Sequence, residues 1–405
     1  MMEEIQKKEK KVLAVGALVL DIIPIFEELT SEKERTSPGG TIYLKRIDTA
    51  IGGSVGNTGL TLHRLGAQTT VFSKIGGDSL GTLVDDEMKK SNCKYYILKD
   101  TKMNTSTSVI VAKPGQDRMI LHNRGASQNY DSQDIPEELL KENDLMHFGY
   151  PTGMKCMYSD NGKTLSEFYK RAKEYGLTTS MDLSFPGIYT PAGMADWYSI
   201  LKKTLPYVDI FLPSFEELLL ILRREEYLSL KKEYPEMKMD DIFSQERVSS
   251  MAEELLELGV RIVAIKCGEK GAYVRTGKEE TIKKIGRAAD LNTEQWAEKE
   301  LFAPPFQIDR MISTNGAGDS FVAGFLQGIL LGKDAVHTLQ FASAVAAIRI
   351  MSVDGRGGIP DYQKVDNVIA NKLKWTDLEM EYQYWKQDFK TGVYEHKKEG
   401  KKNDF

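Results

Sequence analysis

Short apolar runs alternate with stretches of helical period along most of this chain. Val12–Leu20 is rich in valine and leucine and reads as one buried strand containing Gly16. Residues 27–49 are mostly polar, with a turn signal at Pro38-Gly39-Gly40. Gly52-Gly53 opens a helical stretch through Leu60, Leu62 and Leu65, which Gly66 stops. Thr69–Ile75 reads as a strand, and Gly76-Gly77-Asp78 starts another helix. Thr107–Ala112 and Arg118–His122 flank Lys113-Pro114-Gly115-Gln116-Asp117, the pattern of a β-hairpin. From Asp144 onward, strands at Leu145–Tyr150, Thr178–Leu183, Val208–Leu212 and Ile262–Lys266 alternate with helical stretches such as Thr164–Tyr175 and Met251–Leu258. Strands separated by helical crossovers predict an α/β fold with a mostly parallel, doubly wound sheet. Ligands in such sheets sit at the carboxyl ends of the strands.

Two segments depart from the repeat. Residues 223–241 are densely charged and read as an elaborated helix–helix connection. Residues 371–405 mix Trp375, Tyr382, Tyr384 and Trp385 with many charges and end in a lysine-rich, frayed tip. The rest of the composition mainly excludes. A net charge of -5, from 54 basic and 59 acidic residues, argues against a nucleic-acid binder working by bulk charge. Cys93, Cys156 and Cys267 are isolated, so neither a disulfide framework nor a zinc cluster is expected. The five histidines show no metal-binding spacing. No run reaches the 18 or so apolar residues of a membrane span. A soluble cytoplasmic protein is the resulting expectation.

The most informative stretch is Ser313-Thr314-Asn315-Gly316-Ala317-Gly318-Asp319-Ser320-Phe321. Phe321, Val322, Phe325, Leu326, Ile329 and Leu330 continue it at helical spacing, so Gly316-Ala317-Gly318 falls at a helix N-terminus. Free amides and the positive end of the dipole converge there, and small residues let an anion approach the backbone. Asp319 lies in the first turn, where a carboxylate is favoured in the charged form a base requires. Taken alone, this pattern favours a plain helix N-terminus with a capping aspartate. A second stretch, Gly52-Gly53-Ser54-Val55-Gly56-Asn57, places glycines before a helix and offers in Asn57 both a donor and an acceptor.

Together these two motifs, G-G-x-x-x-N early and T-x-G-A-G-D-x-F late, resemble the signatures of the ribokinase-like (PfkB) carbohydrate kinases. The resemblance runs from about Val12 to Asp361. It implies one kinase domain over residues 11–361, with a small β-strand lid from about 16–50 and 105–125. A helical, charged extension over 362–405 completes the expected organisation.

The resemblance implies transfer of the γ-phosphoryl group of ATP to a hydroxymethyl group of a sugar or relative. Asp319 would be the base, and the amides of Gly316, Ala317 and Gly318 the anion hole. Asp21, Gly53 and Asn57 match sugar contacts, and Arg118 and Arg124, in or just after the hairpin, could reach an anionic substrate group. Lys266, Gly268 and Gly271 match a loop beside the nucleotide, with lysine in place of the common threonine. Ser214 and Glu217 match an N-x-x-E motif that touches nucleotide and magnesium, with serine in place of asparagine. Thr314 belongs to the late signature, and Ser343 falls where many relatives place an adenine-side asparagine. Gly355, Gly357 and Gly358 fall in a loop that, with the turn around Ser313, often holds a monovalent cation, so potassium stands beside ATP and Mg2+ as an expectation. A homodimer through the lid is also implied.

Three readings stand beside the sugar kinase. A nucleoside kinase shares its chemistry. A binding or regulatory protein on the same fold is motivated by Ser214, Ser313 and Lys266. A dinucleotide oxidoreductase fails, because no G-x-G-x-x-G follows the first strand.

Overall fold

The computed structural model describes residues 9–27, 41–111, 119–289, 291–308, 310–352, 358–371, 373–376 and 384–397. In chain order its strands are β1 (Lys11–Gly16), β2 (Val19–Phe26), β3 (Leu44–Gly52), β4 (Gln68–Gly76) and β5 (Lys94–Asp100). They continue with β6 (Thr107–Val111), β7 (Met119–Asn123), β8 (Leu145–Gly149), β9 (Thr178–Asp182) and β10 (Ile210–Phe211). The last five are β11 (Ile262–Lys266), β12 (Ala272–Thr276), β13 (Glu300–Ala303), β14 (Trp385–Gln387) and β15 (Tyr394–His396).

The main sheet has 11 strands in the order β14-β15-β13-β12-β11-β10-β9-β8-β1-β4-β5. Every neighbouring pair from β5 through β11 is parallel. The reason is visible in the sequence: β1, β8, β10 and β11 are buried, mainly apolar runs, β9 is equally buried though it reads Thr-Thr-Ser-Met-Asp, and helices lead into β8–β11. One apolar cluster packs the Lys163–Glu174 and Gln245–Glu257 helices on one face. The other face carries the Ala317–Leu330 and Ala335–Met351 helices. Among the described residues, no helix is long and apolar enough to cross a membrane.

The predicted Val12–Leu20 strand is in fact two. Gly16, at φ 144°, ends β1, and the chain leaves the main sheet for β2. A Cβ at Gly16 would lie 2.7 Å from the Gly149 carbonyl oxygen and closer still to Ser54, so only glycine fits that exit. β2 joins a four-stranded sheet in the order β3-β2-β6-β7, with the predicted hairpin as β6 and β7. Its connecting residues, with Arg118, and the Pro38-Gly39-Gly40 turn lie outside the described residues.

Periodicity missed the antiparallel end of the sheet. β11 turns directly into β12, and β13, β15 and β14 follow antiparallel. Residues 385–396 therefore add strands, where a helical extension was predicted; among the described residues beyond 361, only Tyr362–Asn371 is a helix. Their mixed aromatic and charged residues suit a half-buried edge: Trp385 packs edge-on against His396, with ring centroids 5.1 Å apart. The charged connection at 223–241 folds as a helix over Arg224–Glu233 and a short turn over Met239–Ile242.

Candidate active site

β1 pairs with β4 on one side and β8 on the other, so β4–β5 extend the sheet in one direction from β1 and β8–β11 in the other. A crevice opens at the carboxyl ends of strands at such a switch. The late and early sequence motifs meet there.

Gly316 caps the Ala317–Leu330 helix in a left-handed conformation, φ 75°. Phe321, Val322, Phe325, Leu326 and Ile329 are buried and bind this helix to the core, which fixes where its N-terminus points. The Ala317 amide already donates to the Thr314 carbonyl at 3.2 Å. That corrects the expectation of three converging amides: one is spent within the turn. The nearest atoms to a Cβ placed on Gly318 would belong to the Lys266 side chain, at 3.6–3.9 Å. Gly318 thus faces an ammonium group at ordinary contact distance.

Asp319 is buried, and three side chains donate to its carboxylate. Asn57 Nδ2 reaches Oδ2 at 3.2 Å, Thr58 Oγ1 reaches Oδ1 at 3.3 Å, and the Tyr150 hydroxyl also reaches Oδ1. Burial pushes its pKa up, and the hydrogen bond from Tyr150, the charge of Lys266, and Thr58 and Asn57 pull part of the way back. The result is a carboxyl held above its ordinary range and toward the range useful to a base.

Lys266 ends β11 and Asp182 ends β9, with β10 between them. Their ammonium and carboxylate form an ion pair whose side chains are 14% and 2% exposed. Burial opposes the lysine charge, but Asp182, Glu217 and Asp319 outweigh it and hold Lys266 above its ordinary value. The same burial pushes Asp182 upward, with Glu217 and Asp319 adding to the effect against Lys266.

Ser214 and Glu217 form a capping box on the Phe215–Leu222 helix: Ser214 Oγ accepts from the Glu217 amide at 3.3 Å, and Glu217 Oε2 accepts from the Ser214 amide at 2.7 Å. Both predicted residues are therefore helix caps first. Glu217 keeps its second carboxylate oxygen.

Asp21 lies within β2 in the small sheet, not at the end of β1, and is buried opposite Ala50 and Ser108. Arg124 is half-buried at the base of β7, and its Nη1 lies 3.5 Å from the Tyr158 hydroxyl. Among the described residues, no carboxylate pairs with it.

Some predicted glycines have a structural explanation. A Cβ on Gly53, at φ 75°, would fall 2.2 Å from the Ala17 carbonyl oxygen. One on Gly268 would strike Asp240, and one on Gly271 the Ala303 carbonyl. The close approach at these three positions is by the protein itself. Ser343 donates to the Leu339 carbonyl of its own helix at 3.0 Å. Gly358 is exposed, and Gly355 and Gly357 lie outside the described residues.

Sequence reading missed Thr58, Tyr150 and Asp182. The last two had a usable signal, since each stands at the carboxyl end of a predicted parallel strand.

The family model for pfkB carbohydrate kinases matches residues 9–361. An uncharacterised sugar kinase of Archaeoglobus fulgidus is 26% identical over 300 residues, 74% of this chain and 98% of its own. A 5-dehydro-2-deoxygluconokinase of Clostridium perfringens is 24% identical over 91% of this chain and 95% of its own. The ribokinase of Arabidopsis thaliana, solved with ribose and ATP, superposes with a TM-score of 0.64 at 20% identity, covering 89% of this chain and 98% of that one. A match across nearly the whole chain, on the fold this sheet order defines, makes the protein a member of the PfkB family of carbohydrate kinases.

Proposed function

We propose that this kinase transfers the γ-phosphoryl group of ATP to a hydroxymethyl group of an anionic sugar derivative. The carrying observation is that a candidate base and a candidate anion site share one helical turn: Asp319 follows Gly318, which faces the Lys266 ammonium. Asp319 takes the proton from the acceptor hydroxyl. The Gly316 and Gly318 amides and Lys266 stabilise the charge on the transferring group, in a reaction governed by positioning and electrostatics. Lys266, Ser214, Thr314, Ser343 and the Gly268–Gly271 turn line the nucleotide side, and Asp21, Gly53, Asn57 and Arg124 the acceptor side.

Magnesium fits this donor set. It keeps several waters and phosphate oxygens and needs only one or two carboxylates. Among the described residues no cluster of three or more metal-ligating side chains exists, and Glu217 has one carboxylate oxygen outside its capping box. Bound with ATP, magnesium supplies neutralising charge; Glu217 would hold it.

The anionic character of the acceptor rests on Arg124, a half-buried guanidinium without a carboxylate partner among the described residues. The gluconate-type name of the Clostridium perfringens relative agrees with it. A dimer through the small sheet is supported by exposed Ile47, Met119 and Leu121 on its outer strands.

The test is a phosphorylation screen with Mg-ATP over neutral sugars, sugar acids, phosphosugars and nucleosides, with and without potassium. Preferred turnover of a sugar acid or phosphosugar, lost selectively in Arg124→Gln, supports the reading. Preference for a nucleoside, or acceptor binding without release of ADP, contradicts it.

A further inference from the structure

Among the described residues, Tyr150 is the one residue other than glycine that the fold holds in a left-handed backbone conformation at the candidate base. It follows β8 with φ 64° and ψ 40°, a left-handed geometry that bulky side chains rarely adopt. Such residues persist where the surroundings over-determine them, often at functional sites. The constraints are visible: its amide donates to the Asp182 carbonyl at 3.1 Å, and Pro151 fixes the chain beyond it. The conformation aims the phenol across the crevice onto Asp319 Oδ1.

The hydrogen bonds on Asp319 are divided unequally. Among the described residues, Oδ1 receives both Tyr150 and Thr58, whereas Oδ2 receives Asn57 alone. Each carboxylate oxygen offers about two lone pairs. Oδ1 is therefore filled, and Oδ2 retains one acceptor position.

We infer that Tyr150 is a positioning residue for phosphoryl transfer, which occupies Oδ1 of Asp319 so that Oδ2 is the oxygen presented to the acceptor hydroxyl. The inference rests on the reading of Asp319 as the base. The step balances simply: the hydroxyl proton passes to Oδ2 as the acceptor oxygen bonds to the γ-phosphorus and the bond to ADP breaks.

The groups acting on Asp319 come from several elements. Tyr150 follows β8, Asn57 and Thr58 lie in the helical turn Val55–Gly59, and Lys266 ends β11 with Asp182 and Glu217 around it. Burial, followed by the charge and hydrogen bond of Asp319, holds the Tyr150 phenol well above its ordinary pKa, so it remains a donor at every working pH. Removing that donor takes away an interaction that favours the ionised carboxylate, and the base titrates at higher pH.

The experiment measures the pH dependence of kcat/KM for wild type, Tyr150→Phe and Tyr150→Asn, alongside Asp319→Asn and melting temperatures. Asparagine tolerates left-handed backbone, so Tyr150→Asn removes the phenol without the conformational strain. Both Tyr150 variants should lose about tenfold in kcat and move the acidic limb up by about one pH unit, with the KM for ATP changed less than about twofold. A purely structural role would lower the melting temperature and leave the limb in place. An unmoved limb with wild-type kcat, in a background where Asp319→Asn is inactive, overturns the role of Tyr150 alone. Retained turnover in Asp319→Asn overturns the underlying base assignment.

Discussion

Asn57 and Asp319 lie 262 positions apart in the chain and are joined by a hydrogen bond of 3.2 Å, from the Asn57 amide to Asp319 Oδ2. The bond unites the two motifs that carried the sequence reading. It also places Asn57 on the oxygen that remains open to a substrate. Asn57→Asp puts a second carboxylate against Asp319, and like charges at that distance raise the pKa of one of them. The acidic limb of kcat/KM should move upward further than in Asn57→Ala, which removes only the donor. Equal profiles for the two variants would mean that the amide does not act on the base.

Lys266 and Asp182 make a prediction that separates stability from turnover. Lys266→Met leaves a buried carboxylate unpaired, and breaking such a pair from one side costs about 3–5 kcal/mol. Lys266→Met with Asp182→Asn removes both charges and should recover most of that loss in urea unfolding. If Lys266 acts on the transferring phosphoryl group, the double variant stays slow by at least about tenfold despite its restored fold. Wild-type turnover in the stable double variant would reduce the pair to a structural feature.

His147 lies in β8, fully buried, with Nδ1 3.0 Å from the Ser180 hydroxyl. Burial, with Lys266 contributing, depresses its pKa to about 3, so the native protein keeps it neutral. Below about pH 6.5 the unfolded chain binds a proton that the folded chain refuses. Its contribution is fully present above that value and is lost as pH falls toward 3. For a single group this amounts to about 2 kcal/mol between pH 7 and pH 5. His147→Gln should flatten that part of the urea-unfolding profile. A slope equal to wild type would assign the acid sensitivity to other groups.

The parallel half of the fold was legible because most of its strands carry short apolar runs separated from the next by a helical period. The antiparallel half was not, since β13–β15 are three or four residues long and mix Trp385, Tyr394 and His396 with Glu300, Lys386 and Glu395. The split at Gly16 was hidden because Val12–Leu20 is apolar throughout, and what divides it is the approach of Ser54 and Gly149 from elsewhere in the chain. Within the site, Asp319, Gly318 and Asn57 were marked by local motifs. Tyr150 and Asp182 carry no motif; only the sheet order brings the ends of β8 and β9 to Asp319 and Lys266. Gly53, Gly268 and Gly271 show the converse, residues that fit a motif but are glycines because backbone or a neighbouring carboxylate passes within 3 Å.

The most direct test of the whole account is the turnover of Asp319→Asn with Mg-ATP and the best acceptor from the screen, measured beside its affinity for ATP. Asparagine keeps the size of the side chain and one acceptor oxygen, turns the other oxygen into a donor, and cannot take a proton. With Asp319 as the base, kcat falls by about 10²–10⁴ while ATP binding stays near wild type. Turnover within a few-fold of wild type would contradict that role.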